Sequence, residues 1–166
     1  NAGIAMDRIT SGAMVDENRQ TETEGIFACG NVLQVHDLVD YVSEEAAQAG
    51  KRAAAYLKGE LKGSGSTVSV RIGNGVRYTV PSLIDTERME PVQTVRFRVG
   101  NVYRNCSVEV SAGGKVLSSR KAKVLAPGEM EQVMLKRAEL EKLEGLLDAQ
   151  GAGQRARGRQ PVAHAV

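Results

Sequence analysis

The sequence predicts an α/β piece followed by an all-β one. A strand–turn–helix unit occupies 1–60, and a small antiparallel β-sandwich of immunoglobulin-like type occupies 67–136. Three observations carry this. A short apolar strand over 26–29 stops at Gly30 and leads into a helical pattern. From Thr67 the hydrophobic period switches from helical to two. Glycine and proline turns then separate the alternating runs at short intervals. Between the two pieces, 61–66 reads as a Gly/Ser linker. After them come a short helix over 137–149 and a tail over 150–166, low in large apolar residues and expected to be disordered.

Composition narrows the function classes. The chain has 166 residues, 42% hydrophobic and 25% charged, the make-up of a soluble globular protein. No apolar run is long enough for a membrane span, and no secretory signal opens the sequence. A net charge of +2 argues for neither nucleic acid nor membrane as partner. Cys29 and Cys106 fit no metal spacing and no C-x-x-C pair, so they read as reduced thiols of a cytoplasmic protein. The sequence opens without Met in a polar loop, which suggests part of a longer chain.

Taken in order, Ile4-Ala-Met6 and Ala13-Met-Val15 read as two short strands around a Thr10-Ser-Gly12 turn. Asp16-Glu-Asn18 closes that hairpin in a loop. The 26–29 strand follows, with Cys29 structural within it. From about Asp40, Val42, Ala46, Ala49, Ala53 and Leu57 recur at the spacing of one helix face, and Gly50 and Ala54 lie beside it. Asp37 and Asp40 read as helix caps. Glu44 and Glu45 suit the helix dipole and need no further role. Gly59 supplies the C-terminal stop. A strand that ends in a glycine turn beneath a helix N-terminus is an anion and dipole site. A lone strand and helix leave one face of each uncovered, so 26–29 and the apolar helix face are expected to be exposed in this chain alone.

In the β part, Val68, Val70 and Ile72 alternate, Gly73-Asn-Gly75 turns the chain, and Val76, Tyr78 and Val80 alternate again. The stretch through Pro91 interrupts the pattern. Val95, Phe97 and Val99 share one face, and Cys106, Val108 and Val110 another. Ala112-Gly-Gly114 is a turn; one or two strands follow it, and a last strand covers 130–135. Arg96, Arg98, Arg104, Arg120, Lys121 and Lys123 fall on outward positions. They read as a solvated face that resists edge pairing, or as an anion or partner site. Leu140, Leu143 and Leu147 form one stripe of the final helix.

Thr21-Glu-Thr-Glu-Gly-Ile-Phe-Ala-Cys-Gly-Asn31, with the small-residue helix behind it, resembles the last FAD-contacting segment of two-dinucleotide flavoprotein oxidoreductases. These are the pyridine nucleotide–disulfide oxidoreductases and their NAD(FAD)-dependent dehydrogenase relatives. The run Cys29-Gly-Asn-Val-Leu-Gln-Val-His-Asp-Leu-Val-Asp-Tyr-Val-Ser-Glu-Glu45 is similar to one branch of those dehydrogenases. The residue after the glycine is Asp in most of the family and Asn31 here. The likeness covers roughly the first third of the chain.

The resemblance implies the closing segment of a Rossmann-like FAD domain with an appended β domain. It implies FAD as cofactor, contacted by Gly30, Asn31, His36, Asp37, Leu38 and Val39, and NAD(P)H as co-substrate held by regions outside this chain. Gly30 would lie under the ribityl chain and pyrophosphate, where a Cβ collides. Asn31 would accept from a ribityl hydroxyl, and N–H groups over 37–41 would face the flavin pyrimidine oxygen. His36 is either a proton relay or anion binder, or a loop residue that packs its ring and donates to backbone. No G-x-G-x-x-G fingerprint is present: Gly63-Ser-Gly65 is linker and Gly73-Asn-Gly75 a turn. The pyrophosphate loop is therefore expected upstream, and no catalytic residue or metal ligand is assigned here. The implied partners are the rest of a parent flavoprotein and, in a homo-oligomer, further copies of it; the alternatives are a non-catalytic β-sandwich interaction module or a subunit of a heteromeric flavoprotein dehydrogenase.

Overall fold

The computed structural model describes residues 3–61, 67–142 and the backbone of 162–165. Most of the expected linker, Leu143 and Leu147, and residues 150–161 of the expected tail lie outside the described residues. A 3-10 turn (Gly30–Val32) and helix α1 (Val39–Leu57) precede the strands. These are β1 (Thr67–Ile72), β2 (Val76–Val80), β3 (Leu83–Asp85), β4 (Val92–Val99), β5 (Tyr103–Ala112), β6 (Lys115–Leu125), β7 (Glu131–Lys136) and β8 (Val162–Ala165). A helical turn covers 137–142.

The strands form two sheets, ordered β3-β1-β8-β5-β6 and β2-β4-β7, and neither closes into a barrel. Pairing is antiparallel except between β1 and β8. β8 corrects the expectation of disorder at the end of the tail: two flanking strands offer its backbone hydrogen-bond partners that composition alone does not reveal. The sheets share a core. Phe97 and Val99 of β4 meet Val108 of β5 and Leu125 of β6. Val95 joins Ile84, Met89, Val110 and Leu135, and Leu140 from the final helical turn closes that cluster.

Two expectations about faces fail at one place. The pairing register shifts between Val76 and Tyr78, so β2 carries an irregularity there. An extra residue in a strand moves every later side chain to the opposite face. Val76 therefore packs inward with Val99, whereas Tyr78 and Val80 turn outward beside Arg98 and Arg96. That outer face is not solvated. Tyr78 and Val80 form an apolar cluster with Val15, Ala28 and Leu33, so residues 3–61 cover the three-stranded sheet.

The first third contains less sheet than expected. The strand over 26–29 is reduced to one bridge, Gln20 to Phe27, and the expected N-terminal hairpin to another, Met6 to Ala13. With no parallel sheet beside it among the described residues, 26–29 does not extend its ladder, and it packs by side chain instead. Ala28 is buried against the outer sheet face, contrary to the expected exposure. The helix face is divided, partly exposed as expected. Ala49 is buried, but Ala46 and Leu57 are exposed, Leu57 at 84%, and the most buried helical residue is Glu45.

Candidate functional site

The turn and the helix start are held by one buried carboxylate. Glu45 lies three residues after Val42 and four before Ala49, which puts it on the packed face of α1. Its side chain has no solvent exposure. Oε2 accepts the backbone N–H of Gly30 at 2.8 Å and faces His36 Nε2 at 3.0 Å. Oε1 is 3.3 Å from Arg19 Nε, an ion pair without hydrogen-bond alignment, and 4.0 Å from Arg96 Nη1. A buried carboxylate survives only when charge and hydrogen bonds replace its hydration, and two guanidinium groups, an amide and an imidazole do so here. The reading of Glu45 as a dipole residue is corrected accordingly.

Gly30 has φ of 68°, in the region that favours glycine. An added Cβ would meet only Val42 Cγ1, at 3.4 Å, so its backbone conformation constrains this position more than crowding does. Gly12 backs the same turn. Its added Cβ would fall 2.0 Å from the carbonyl oxygen of Leu33, and Ala13 N–H donates to Val32 O at 3.3 Å. Asn31 is exposed, and its Oδ1 accepts the His36 N–H at 3.3 Å, which leaves that carbonyl a second lone pair.

His36 packs its ring, 1% exposed, as the loop reading expects, but Nε2 faces the Glu45 carboxylate rather than backbone. Asp37 is not the helix cap. It pairs with Arg98 Nη2 and accepts the Met130 N–H, because Arg98 lies on the sheet face turned toward this loop. Arg98 also donates to Val35 O at 2.9 Å, to Pro127 O at 3.2 Å and to the Tyr78 hydroxyl at 3.0 Å. Asp40 is inside the first turn, and the cap position belongs to Leu38, with no side-chain hydrogen bond. The start of α1 is thus open, and Val35, Leu38 and Val39 around it are 68%, 52% and 79% exposed.

Arg96 and Arg98 are buried, which corrects their assignment to a solvated face; Arg104, Arg120, Lys121 and Lys123 are exposed as expected. Arg96 donates to Glu44 Oε2 at 2.7 Å and lies 4.9 Å from the centroid of the Tyr41 ring. A second polar cluster ties the N-terminal unit to β3. Glu17, 1% exposed, accepts from Asp85 N at 2.8 Å and from Asn18 Nδ2 at 2.6 Å, and lies 3.3 Å from Arg88 Nε. Burial, and then the neighbouring Asp16 charge, push the Glu17 carboxyl up to about 7.

Gly30, Asn31, His36, Asp37, Leu38 and Val39, expected to lie together, span the 3-10 turn, the loop after it and the first residue of α1. Glu45, Arg19 and Glu17 join the site without having been expected there. The available signal was a carboxylate on the apolar stripe of a helix, which requires a buried cation. Both cysteines are free thiols. Among the described residues no acidic, His or Cys group is arranged to hold a metal, and no helix is long and apolar enough to cross a membrane. No family model, curated protein or solved structure matches the chain.

Proposed function

We propose that this chain is the C-terminal portion of an FAD-dependent NAD(P)H oxidoreductase, with the stretch from Gly30 to Val39 as one wall of the flavin site. The observation that carries this reading is the open start of α1. Arg98 and Met130 draw Asp37 away from the helix, Leu38 offers no capping side chain, and exposed aliphatic residues surround the helix start. That combination suits a flat, largely apolar ring system that carries a carbonyl oxygen at its edge.

The remaining residues fit the same ligand. Gly30 presents backbone without a Cβ, and the exposed Asn31 amide can take a hydroxyl proton through its free lone pair. Bound FAD would supply the hydride chemistry, exchanged with NAD(P)H. This chain's part is positional. Glu45 fixes the Gly30 turn, Arg98 and Asp37 fix the loop, and the helix end directs partial positive charge at the ligand. Residues 67–136 would then be the appended, immunoglobulin-like β domain, and the rest of the parent flavoprotein the partner that covers the aliphatic rim.

Fluorescence titration tests this. FAD added to flavin-free parent protein is expected to lose fluorescence on uptake. Val39→Asp places a negative charge at the open helix end and is expected to weaken uptake by about tenfold. Uptake unaffected by that change would contradict the assigned wall.

A further inference from the structure

We propose that the cleft between α1 and β4 binds a small phosphate-class oxyanion, with Arg19 and Arg96 at its floor and Lys51 at its mouth. The cleft has a volume of about 640 Å³. It is separate from the Gly30–Val39 stretch and does not depend on flavin.

Charge and unmet hydrogen bonding point the same way. Arg19, Lys51, Arg52 and Arg96 line the cleft against Glu44 and Glu90. Glu45, behind Arg19, makes a third carboxylate, so the four cations exceed the carboxylates by one. Arg52 is paired with Glu90 and Arg96 with Glu44, which leaves Lys51 as the exposed cation at the mouth.

The floor is under-satisfied. Arg19 is 1% exposed, and its Nη1 has no hydrogen-bond partner; nor has Nε of Arg96, itself buried. Both atoms are donors, and a buried guanidinium N–H without an acceptor is costly. Burial, only partly offset by Glu45, and repulsion from Arg96 push the Arg19 pKa down. Glu45 Oε1 already faces both guanidinium groups from behind the cleft, and an oxyanion within the cleft supplies the acceptor lone pairs that Arg19 Nη1 and Arg96 Nε lack.

Titration of the full chain with inorganic phosphate, at constant ionic strength set with chloride and followed by amide NMR, tests the site. Saturable shifts confined to Arg19, Gln48, Lys51, Gln93 and their neighbours are expected. Lys51→Ala removes only an exposed charge and is expected to weaken binding about fivefold. Arg19→Gln is expected to weaken it by about thirtyfold or more. Should that variant not fold, Lys51→Ala decides. Ribose 5-phosphate binding more tightly than phosphate identifies a phosphorylated small molecule as occupant; equal affinity identifies the ion itself. Absence of saturable shifts, or shifts unchanged in Lys51→Ala, overturns the site.

Discussion

The Glu45 carboxylate accepts the Gly30 N–H at 2.8 Å from fifteen residues further along the chain. This contact ties the glycine turn to the helix face, and Arg19 and Arg96 make it tolerable to bury. Glu45→Gln keeps an acceptor for Gly30 but leaves the buried Arg19 guanidinium without its carboxylate, while Arg96 keeps Glu44. It is expected to cost about 3–5 kcal/mol in urea unfolding. The double change Arg19→Met with Glu45→Gln is expected to recover part of that loss, because it removes the stranded charge as well.

Glu17 sets a pH dependence with a definite sign. Its carboxyl titrates at about 7 in the fold against 4.5 ordinarily. Between those values Glu17 holds more proton in the folded chain than in the unfolded one, so its contribution to stability is fully present below pH 4.5 and is lost as pH rises through 7. The shift corresponds to roughly 3 kcal/mol. Glu17→Gln is expected to flatten the stability profile across that window in denaturant melts from pH 5 to 8. An unchanged slope would assign the titration elsewhere.

Much of the β part is legible in the sequence because each strand keeps a period of two. Val95, Phe97 and Val99 turn inward as their alternation requires. What defeats the period is the irregularity between Val76 and Tyr78, which no residue type announces. It reverses the face of Tyr78 and Val80 and makes a docking surface of an apparently solvated one. Arg96 and Arg98 follow from this. They read as outward, and they are outward, but the N-terminal unit lies over them. The turn and loop residues were legible because glycine and loop chemistry are local. Glu45, Arg19 and Glu17 were not, since their partners are distant in sequence.

The Gly12 contact yields a simpler test. With only 2.0 Å between an added Cβ and the Leu33 carbonyl oxygen, backbone must move. Gly12→Ala is expected to lower stability by about 3 kcal/mol, and Gly50→Ala, which meets nothing within 4 Å, to raise it slightly. Thermal melts of the two variants compare them directly.

Asp37 and Asp40 separate loop anchoring from helix capping. Asp37→Ala loses bonds to Arg98 and Met130 and is expected to cost about 2 kcal/mol. Asp40→Ala loses only a dipole interaction and is expected to cost about 0.5 kcal/mol. Equal costs in chemical unfolding would restore the capping role to Asp37.

The absorption spectrum of the purified parent protein, followed by titration with NADH or NADPH, tests the flavin wall most directly. The account predicts a flavin spectrum that bleaches as reduced nicotinamide is added. A colourless protein that takes up no added FAD would contradict it, and the exposed Val35, Leu38 and Val39 would then mark a protein-docking surface instead.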